Sequence, residues 1–282
     1  MIAAVIKDEA LLNEVKMFEH DDRDFHIWWL GQSGYLLLWQ GKKILIDPYL
    51  SDSLTKKYAD TNKPHIRMSE RVMNPSLLKD IEIVSSSHNH TDHLDAETLM
   101  PVIQNNPGIQ FIIPEANRAF IADRIKMPSS FPIGLNDGES ITIGDFTFHG
   151  IIAAHNTIDR DEHGKCKYLG YIIRFGNWTI YHSGDTLWYE GLEEKLLSFN
   201  IDLALLPING NDPSRGVAGN LDADEAAKLA SVSHIKHVIP CHYNMFTFNT
   251  ADPNIFAEKA MLHKQAYTIV AHGGHWSSKQ LF

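Results

Sequence analysis

The sequence has few cysteines and no long hydrophobic runs, and both absences exclude classes of protein. Only two cysteines occur, Cys166 and Cys241, which excludes a fold held together by a framework of disulfide bonds. No segment has the roughly 18 consecutive apolar residues that a transmembrane helix needs. The N-terminal residues 1–25 turn to charged residues after a short apolar start, unlike a secretory signal peptide. We therefore expect a cytoplasmic protein that makes no contact with membranes.

Positive charge is also scarce. The chain carries 25 lysines and arginines against 35 acidic residues, which gives a formal net charge of −10. Binding along a nucleic-acid backbone needs clustered lysine and arginine, so we expect no nucleic-acid partner. A small anionic substrate stays compatible with this charge, because a bound metal ion can reverse the local field. Linkers rich in proline, glycine or serine are absent as well, so we predict a single domain over residues 1–282.

The apolar segments predict a meander of short strands, followed by strands that alternate with helices. Glycine-containing turns separate the first three apolar runs, which are His26–Leu30, Tyr35–Trp39 and Lys43–Ile46. Residues 51–75 are polar and irregular and predict a long loop near the functional site, whereas residues 267–271 predict the final strand. Mixed β-sheets with helices on their outer faces accommodate such an order of elements, so we predict an α+β fold.

Sixteen histidines are an unusually high number, and three of them lie in one short motif. In the segment Ser-His-Asn-His-Thr-Asp-His-Leu-Asp, His88 and His90 alternate, so both rings can point to one side of an extended chain. Asp92 and His93 follow after a turn. Imidazole and carboxylate ligands suit zinc, and also manganese or iron. The alternative is a histidine-rich surface loop that binds no metal.

Three further polar residues each follow an apolar strand. His155 follows the run Gly-Ile-Ile-Ala-Ala, Asp185 follows the predicted strand Trp178–Tyr181, and His242 follows the predicted strand His237–Pro240. Loops after strands are where a rigid scaffold commonly carries functional side chains. Taken singly, each residue is explained equally well as a hydrogen-bonded polar group without a functional role.

Taken together, these residues give the order His-x-His-x-Asp-His, then His, then Asp, then His, which resembles the metallo-β-lactamase-fold hydrolases. The resemblance runs from His26 to about residue 271 and implies a four-layer αββα sandwich of two mixed β-sheets flanked by helices. It also implies two divalent metal ions, zinc or manganese with iron possible, that share an activated water molecule. The implied ligands are His88, His90 and His155 for one ion, Asp92, His93 and His242 for the other, and Asp185 between them. The resemblance gives Asp92 and Asp185 catalytic roles, with Asp92 as a proton acceptor.

Three more residues are candidates for supporting roles. Asp47 occupies the position of an early aspartate in this family, where it would orient a ligand histidine. Capping the turn at Pro48 explains Asp47 equally well. His182 flanks Asp185 and is a candidate neighbour of the ligands. Asn209 follows a predicted strand at the same edge and would hydrogen-bond a substrate, or it simply forms a turn.

The local motifs narrow the class of reaction that the resemblance implies. His90 stands where the di-iron redox members of the family typically carry glutamate, which favours hydrolysis. Four segments resemble the L-ascorbate-6-phosphate lactonase-like group: residues 28–31, 88–95, 181–186 and 238–242. This resemblance implies a lactonase that acts on a small anionic substrate, a phosphorylated sugar-acid lactone, and it suggests a homo-oligomer. The alternatives are a phosphodiesterase, including one like N-acyl-phosphatidylethanolamine phospholipase D, and a weakly catalytic metal-binding protein.

Overall fold

The computed structural model describes all 282 residues and contains fifteen strands and seven α-helices. The strands are β1 (His26–Gly31), β2 (Gly34–Trp39), β3 (Lys42–Ile46), β4 (Ile81–Ser85), β5 (Gln110–Pro114), β6 (Ile133–Leu135), β7 (Ser140–Ile143), β8 (Phe146–Ile152), β9 (Ala154–His155), β10 (Thr157–Ile158), β11 (Leu169–Phe175), β12 (Trp178–His182), β13 (Leu203–Pro207), β14 (His237–Cys241) and β15 (His275–Ser277). The helices are α1 (Asp8–Met17), α2 (Ser53–Lys57), α3 (Ala96–Asn105), α4 (Arg118–Ile125), α5 (Leu192–Leu197), α6 (Ala223–Val232) and α7 (Pro253–Leu262).

Two mixed sheets hold all strands except β9 and β10, which form a small hairpin of their own. The first sheet has the order β15-β1-β2-β3-β4-β5-β6, and the second has the order β14-β13-β12-β11-β8-β7. In each sheet the strands of a meander pair antiparallel, whereas those connected through helices pair parallel. The predicted α+β fold of two mixed sheets with flanking helices is confirmed.

Alternate side chains of β1 enter two different hydrophobic cores. Ile27 and Trp29 belong to a core of 46 buried residues that the second sheet also lines. Trp28 and Leu30 belong to a core of 21 buried residues beneath α1, α3 and α4. Because successive side chains of a strand point to opposite faces, such a strand is apolar throughout when both faces are covered. On the other side of the molecule, α6 packs against β13, β14 and α7.

The last strand is β15, and the expectation of a final strand at residues 267–271 is wrong. In that segment only Tyr267 forms an isolated bridge, to Val238. Instead, β15 pairs antiparallel with β1, with His26 opposite Ser277. Just beyond β15, the hydroxyl of Ser278 accepts a hydrogen bond from the backbone N–H of Phe25 at 3.1 Å.

Other departures from the predicted elements are local. The 51–75 segment contains the short helix α2, and the three short strands β6, β9 and β10 were not predicted. Capping side chains mark the starts of two helices. Asp222 and Glu225 make reciprocal hydrogen bonds at the start of α6, and Asp95 accepts a bond from the backbone N–H of Glu97 at the start of α3. None of the helices combines the length and the apolar character needed to cross a lipid bilayer.

Candidate metal centre

The predicted ligands lie in loops at the ends of strands from both sheets. In the first sheet, β4 leads into the loop that ends at Asp95, the N-cap of α3, so the histidine motif is held between a buried strand and a capped helix. The other ligands come from β9 and from the loops after β12 and β14. The structure brings together all seven predicted side chains, which are His88, His90, Asp92, His93, His155, Asp185 and His242.

Close packing of two loops makes this meeting possible. Gly184 has φ +58°, and a Cβ atom on it would lie 2.6 Å from Ser87 Cβ and 2.8 Å from the carbonyl oxygen of Leu169. Both distances are shorter than a side chain tolerates. Only glycine therefore lets the loop that carries Asp185 approach the histidine motif this closely.

The ligand atoms form two groups of three. We call His88, His90 and His155 the imidazole trio, and Asp92, His93 and His242 the mixed trio. Within each trio the ligand atoms lie within 4.8 Å of one another. In the imidazole trio, His155 Nε2 lies 3.2 Å from His90 Nδ1. In the mixed trio, Asp92 Oδ2 lies 3.6 Å from His93 Nε2 and 3.5 Å from His242 Nε2.

The carboxylate of Asp185 lies between the two trios. Its Oδ1 atom is 3.3 Å from His93 Nε2, and its Oδ2 atom is 3.3 Å from His242 Nε2 in the mixed trio. The same Oδ2 atom is 3.6 Å from His155 Nε2 in the imidazole trio. Asp185 is therefore placed to interact with cations bound at either trio.

Several buried polar atoms at this site make no well-aligned hydrogen bond within the protein. These atoms are His88 Nε2, His93 Nε2 and Asp185 Oδ1. An unpaired polar atom in a buried position costs roughly 1–3 kcal/mol, so such a cluster needs an explanation. Metal ions would provide the missing partners, because imidazole nitrogen and carboxylate oxygen are the donor types that zinc and similar divalent ions prefer. The donor set thus fits the metal ions that the sequence predicts.

Outer contacts fix the orientation of two ligand rings. Asp47 is fully buried and accepts a hydrogen bond from His93 Nδ1–H at 2.6 Å, and a second from the backbone N–H of Ser87 at 2.8 Å. His155 Nδ1–H donates to the carbonyl of Gly219 at 2.9 Å. In both histidines Nδ1 makes the outer contact, so Nε2 is directed into the site. Such contacts are typical neighbours of metal-ligating histidine.

The two trios differ in charge. Burial disfavours the charged imidazolium, and it holds the pKa of His88 well below its ordinary value and lowers the pKa of His155. Burial acts in the same direction on the mixed trio, but the carboxylates of Asp185 and Asp92 outweigh it. They raise the pKa of His242 to about 9 and that of His93 well above its ordinary value. Without metal ions, the mixed trio therefore holds protonated histidines against carboxylates.

The two remaining candidates lie away from the ligand atoms. His182 Nε2–H donates to the carbonyl of Ser33 at 3.0 Å, so this ring holds the turn between β1 and β2. Asn209 uses its carboxamide within a polar network, because it donates to Asn249 at 2.9 Å and accepts from Asn220 at 3.0 Å. Asn209 does not line the cavity in front of the trios, whereas Asn249 does.

A cavity of about 540 Å³ opens in front of the two trios. Its wall includes several residues that our reading of the sequence did not assign to the site, among them Lys57, Lys63 and Arg124. The buried Gln32, whose side chain contacts the mixed trio, was missed as well. Its only signal in the sequence is a polar side chain in the Gly-Gln-Ser-Gly turn, which by itself predicts nothing more than a hairpin.

Comparisons with known proteins agree with this architecture. The model of the beta-lactamase superfamily domain matches residues 26–242, and the protein belongs to this superfamily. Within it, the chain belongs to the UPF0173 metal-dependent hydrolases. It is 33% identical over 187 residues to the member from Nanoarchaeum equitans, which covers 65% of this chain and 79% of that protein.

Solved structures show the same fold. Igni18, a metallo hydrolase from Ignicoccus hospitalis, superimposes with a TM-score of 0.65 at 22% identity, over 90% of this chain and 98% of that one. The metallo-beta-lactamase fold protein YhfI from Bacillus subtilis gives 0.65 at 18% identity, over 90% and 99% of the two chains. These structures confirm the predicted metallo-β-lactamase fold, and the family matches confirm the general function of metal-dependent hydrolase.

Proposed function

We propose that the protein hydrolyses a small anionic substrate, a phosphorylated sugar-acid lactone such as L-ascorbate 6-phosphate, with two divalent ions of zinc or manganese. A cavity of about 540 Å³ is in the range of small-molecule sites. The observation that supports an anionic substrate is that three cationic side chains line the wall of this cavity, namely Lys57, Lys63 and Arg124.

None of these three cations forms an ion pair with a carboxylate. Lys57 Nζ donates to the hydroxyl of Thr91 at 3.5 Å and lies 5.1 Å from the centre of the Tyr58 ring. Lys63 donates to the carbonyl of Gly216, and Arg124 donates to the carbonyls of Asn89 and Leu94. In a protein with a net charge of −10, unpaired cations grouped at one cavity favour an anionic ligand.

The protein side chains have defined tasks in this proposal. The imidazole trio would hold one ion, the mixed trio would hold the other, and Asp185 would contact both. Bound there, the ions would supply Lewis acidity and an activated water molecule. Asp92 lies beside the ligand nitrogens of His93 and His242 and would accept the proton released during attack on the carbonyl. The lysines would hold the phosphate and orient the lactone ring.

A phosphodiester is the second candidate substrate, because one wall of the cavity is apolar. Leu54, Tyr58, Phe120 and Val217 line the same space as the cations, and Phe120 is 46% exposed. A substrate that joins an anionic group to a hydrocarbon part would contact both surfaces. Hydrolysis of bis(p-nitrophenyl) phosphate without hydrolysis of the lactone would favour this candidate.

The deciding experiment is hydrolysis of L-ascorbate 6-phosphate by protein loaded separately with zinc or manganese. We expect turnover in at least one metal form, and much slower turnover of unphosphorylated L-ascorbate. Absence of turnover in both metal forms would overturn the lactonase proposal.

The role of Lys57 is tested with its neighbour Lys56 as the matched control. We expect Lys57→Ala to reduce kcat/KM for the phosphorylated lactone by roughly 10–100-fold, because one charge-assisted contact of about 1.5–3 kcal/mol is lost. The unphosphorylated lactone should lose little. Lys56 pairs with Glu97 at 2.8 Å and does not line the cavity, so Lys56→Ala should behave as wild type. Equal losses in the two variants would contradict an anion site at Lys57.

A further inference from the structure

The turn between β1 and β2 places one buried polar side chain directly against the mixed trio. Gln32 lies at the tip of this hairpin and is only 2% exposed. Its Nε2 atom donates a hydrogen bond to Asp92 Oδ2 at 2.8 Å and lies 3.0 Å from His242 Nε2. No atom of the imidazole trio is among its hydrogen-bond partners. The carboxamide therefore touches two ligands of one trio and none of the other.

The backbone of the same residue holds the second of these ligands. The carbonyl of Gln32 accepts hydrogen bonds from the backbone N–H of His242 and from Trp29 Nε1–H, each at 3.0 Å. At the next residue, the carbonyl of Ser33 accepts a bond from His182. The turn is thus fixed from three directions, and Gln32 contacts Asp92 through its side chain and His242 through its backbone.

The backbone conformations at this point are unfavourable in isolation. Gln32 has φ +52°, Asp47 has φ +42° and His242 has φ +64°. A residue other than glycine in the left-handed region costs of order 1–3 kcal/mol and persists only where surrounding contacts enforce it. Three such residues meet around the mixed trio, which indicates that this geometry is maintained for a purpose other than stability.

We propose that Gln32 is the positioning residue of the mixed trio. Its carboxamide N–H occupies one lone pair of Asp92 Oδ2 and fixes the direction of the carboxylate, while its carbonyl fixes the peptide of His242. The ion of the mixed trio is then bound by ligands that are already aligned, whereas the imidazole trio is independent of Gln32. This inference rests on the two-ion centre proposed above.

The test is a stepwise metal titration of metal-free protein against a competing chelator, for wild type, Gln32→Ala and Gln32→Met. Reference variants His242→Ala and His155→Ala assign each binding step to its trio. We expect both Gln32 variants to weaken the step of the mixed trio by roughly 10–100-fold, the usual effect of losing a contact behind a metal ligand. The step of the imidazole trio should change by less than about 2-fold. The melting temperature of the metal-free Gln32→Met protein should stay close to wild type, because methionine conserves the volume of glutamine.

Gln40 provides the matched control. It is also a glutamine with a left-handed backbone in a hairpin turn, with φ +47°, but its side chain donates to the carbonyl of Asp22 at the protein surface. Gln40→Ala should bind both ions as wild type does. Wild-type affinities in Gln32→Met, or equal weakening of both steps, would overturn the role of Gln32. A wild-type protein that binds only one ion would overturn the two-ion centre itself.

Discussion

The two trios at the metal centre differ in how they are prepared for a cation. In the imidazole trio, His88 and His155 have lowered pKa values and are neutral near pH 7, so their nitrogen lone pairs are available. In the mixed trio, His242 has a pKa of about 9, and its proton is held by the carboxylates of Asp185 and Asp92. In the metal-free protein, the histidines of the imidazole trio are therefore uncharged and could bind an ion directly. An ion that binds the mixed trio would first have to displace protons.

This difference shows that two neighbouring groups of candidate ligands can have their charge states set by different causes. Desolvation controls the imidazole trio, because burial is the largest cause of the lowered pKa values of His88 and His155. Charge controls the mixed trio, because two carboxylates face its histidines at 3.3–3.6 Å. Asp185 contacts both trios, whereas other residues contact only one of them. Substitutions at these positions should therefore have different effects on the two trios.

The largest effect is expected from Asp185→Asn, which removes the only charge shared by the two trios. Metal content should fall at both trios, and turnover should decrease by roughly 10²–10⁴-fold, the scale of a positioned acid–base group. Metal analysis after dialysis and steady-state kinetics measure the two quantities. If Asp185→Asn kept both ions and normal turnover, the proposal that Asp185 interacts with the ions of both trios would be contradicted.

A smaller and more selective effect is expected from Asp47→Asn. Asp47 contacts the mixed trio directly through His93, and it reaches His88 only through the hydroxyl of Ser87. The affinity for the ion of the mixed trio should fall by roughly 10–100-fold, with a smaller loss at the imidazole trio. Metal titration measures both losses.

Asp202→Asn is the control for Asp47→Asn. Asp202 is also buried, but it accepts a hydrogen bond from the backbone N–H of Thr179 and pairs with Lys236 away from the metal centre. Its replacement should leave both affinities unchanged. A loss confined to the imidazole trio in Asp47→Asn would reverse the assignment of Asp47.

The smallest expected effect is a difference in the number of protons that the two trios release when they bind metal ions. Metal binding at the mixed trio should release about one to two protons near pH 7, whereas binding at the imidazole trio should release almost none. Calorimetry in buffers of different ionisation enthalpy, with His155→Ala and His242→Ala isolating the two trios, counts these protons. Equal proton release from both trios would show that their charge states do not differ.

The same pKa shifts predict how the stability of the metal-free protein depends on pH. The raised pKa of His242 gives stabilisation that is full below its ordinary pKa of 6.5 and is lost as pH rises towards 9. The lowered pKa of His88 acts oppositely, since its stabilisation is full above 6.5 and is lost as pH falls. Thermal melting of metal-free protein should therefore show highest stability near pH 6.5. Addition of metal ions should move this maximum to higher pH.

The candidate ligands could be identified from the sequence because each is marked by local features. An apolar strand precedes each loop, and four of the seven side chains lie within one short motif. The N-caps Asp95 and Asp222 could be predicted for the same reason, since a cap depends on residues only two or three positions away. The resemblance to a known family then supplied the grouping of the ligands that the spacing alone left open.

Features that depend on distant contacts were missed. Gln32 meets Asp92 and His242 across 60 and 210 positions in the chain, and no local pattern marks it. The final strand was misplaced because residues 267–271 have strong β propensity, whereas His275–Ser277 forms a strand only through its pairing with β1. Lys57 was missed for the same reason, since only folding brings it beside Thr91 at the cavity.

The pairing of β15 with β1 also sets an order in which the molecule is completed during synthesis. His242, the last of the predicted ligands in the chain, is made before β15, which supplies the outer partner of β1. Until His275–Ser277 has been made, the edge of β1 stays unpaired, and such an edge is a template for pairing with other chains. A nascent chain that stalls between residues 242 and 275 would therefore contain every predicted ligand while the edge of β1 is still unpaired, and it would be prone to aggregate.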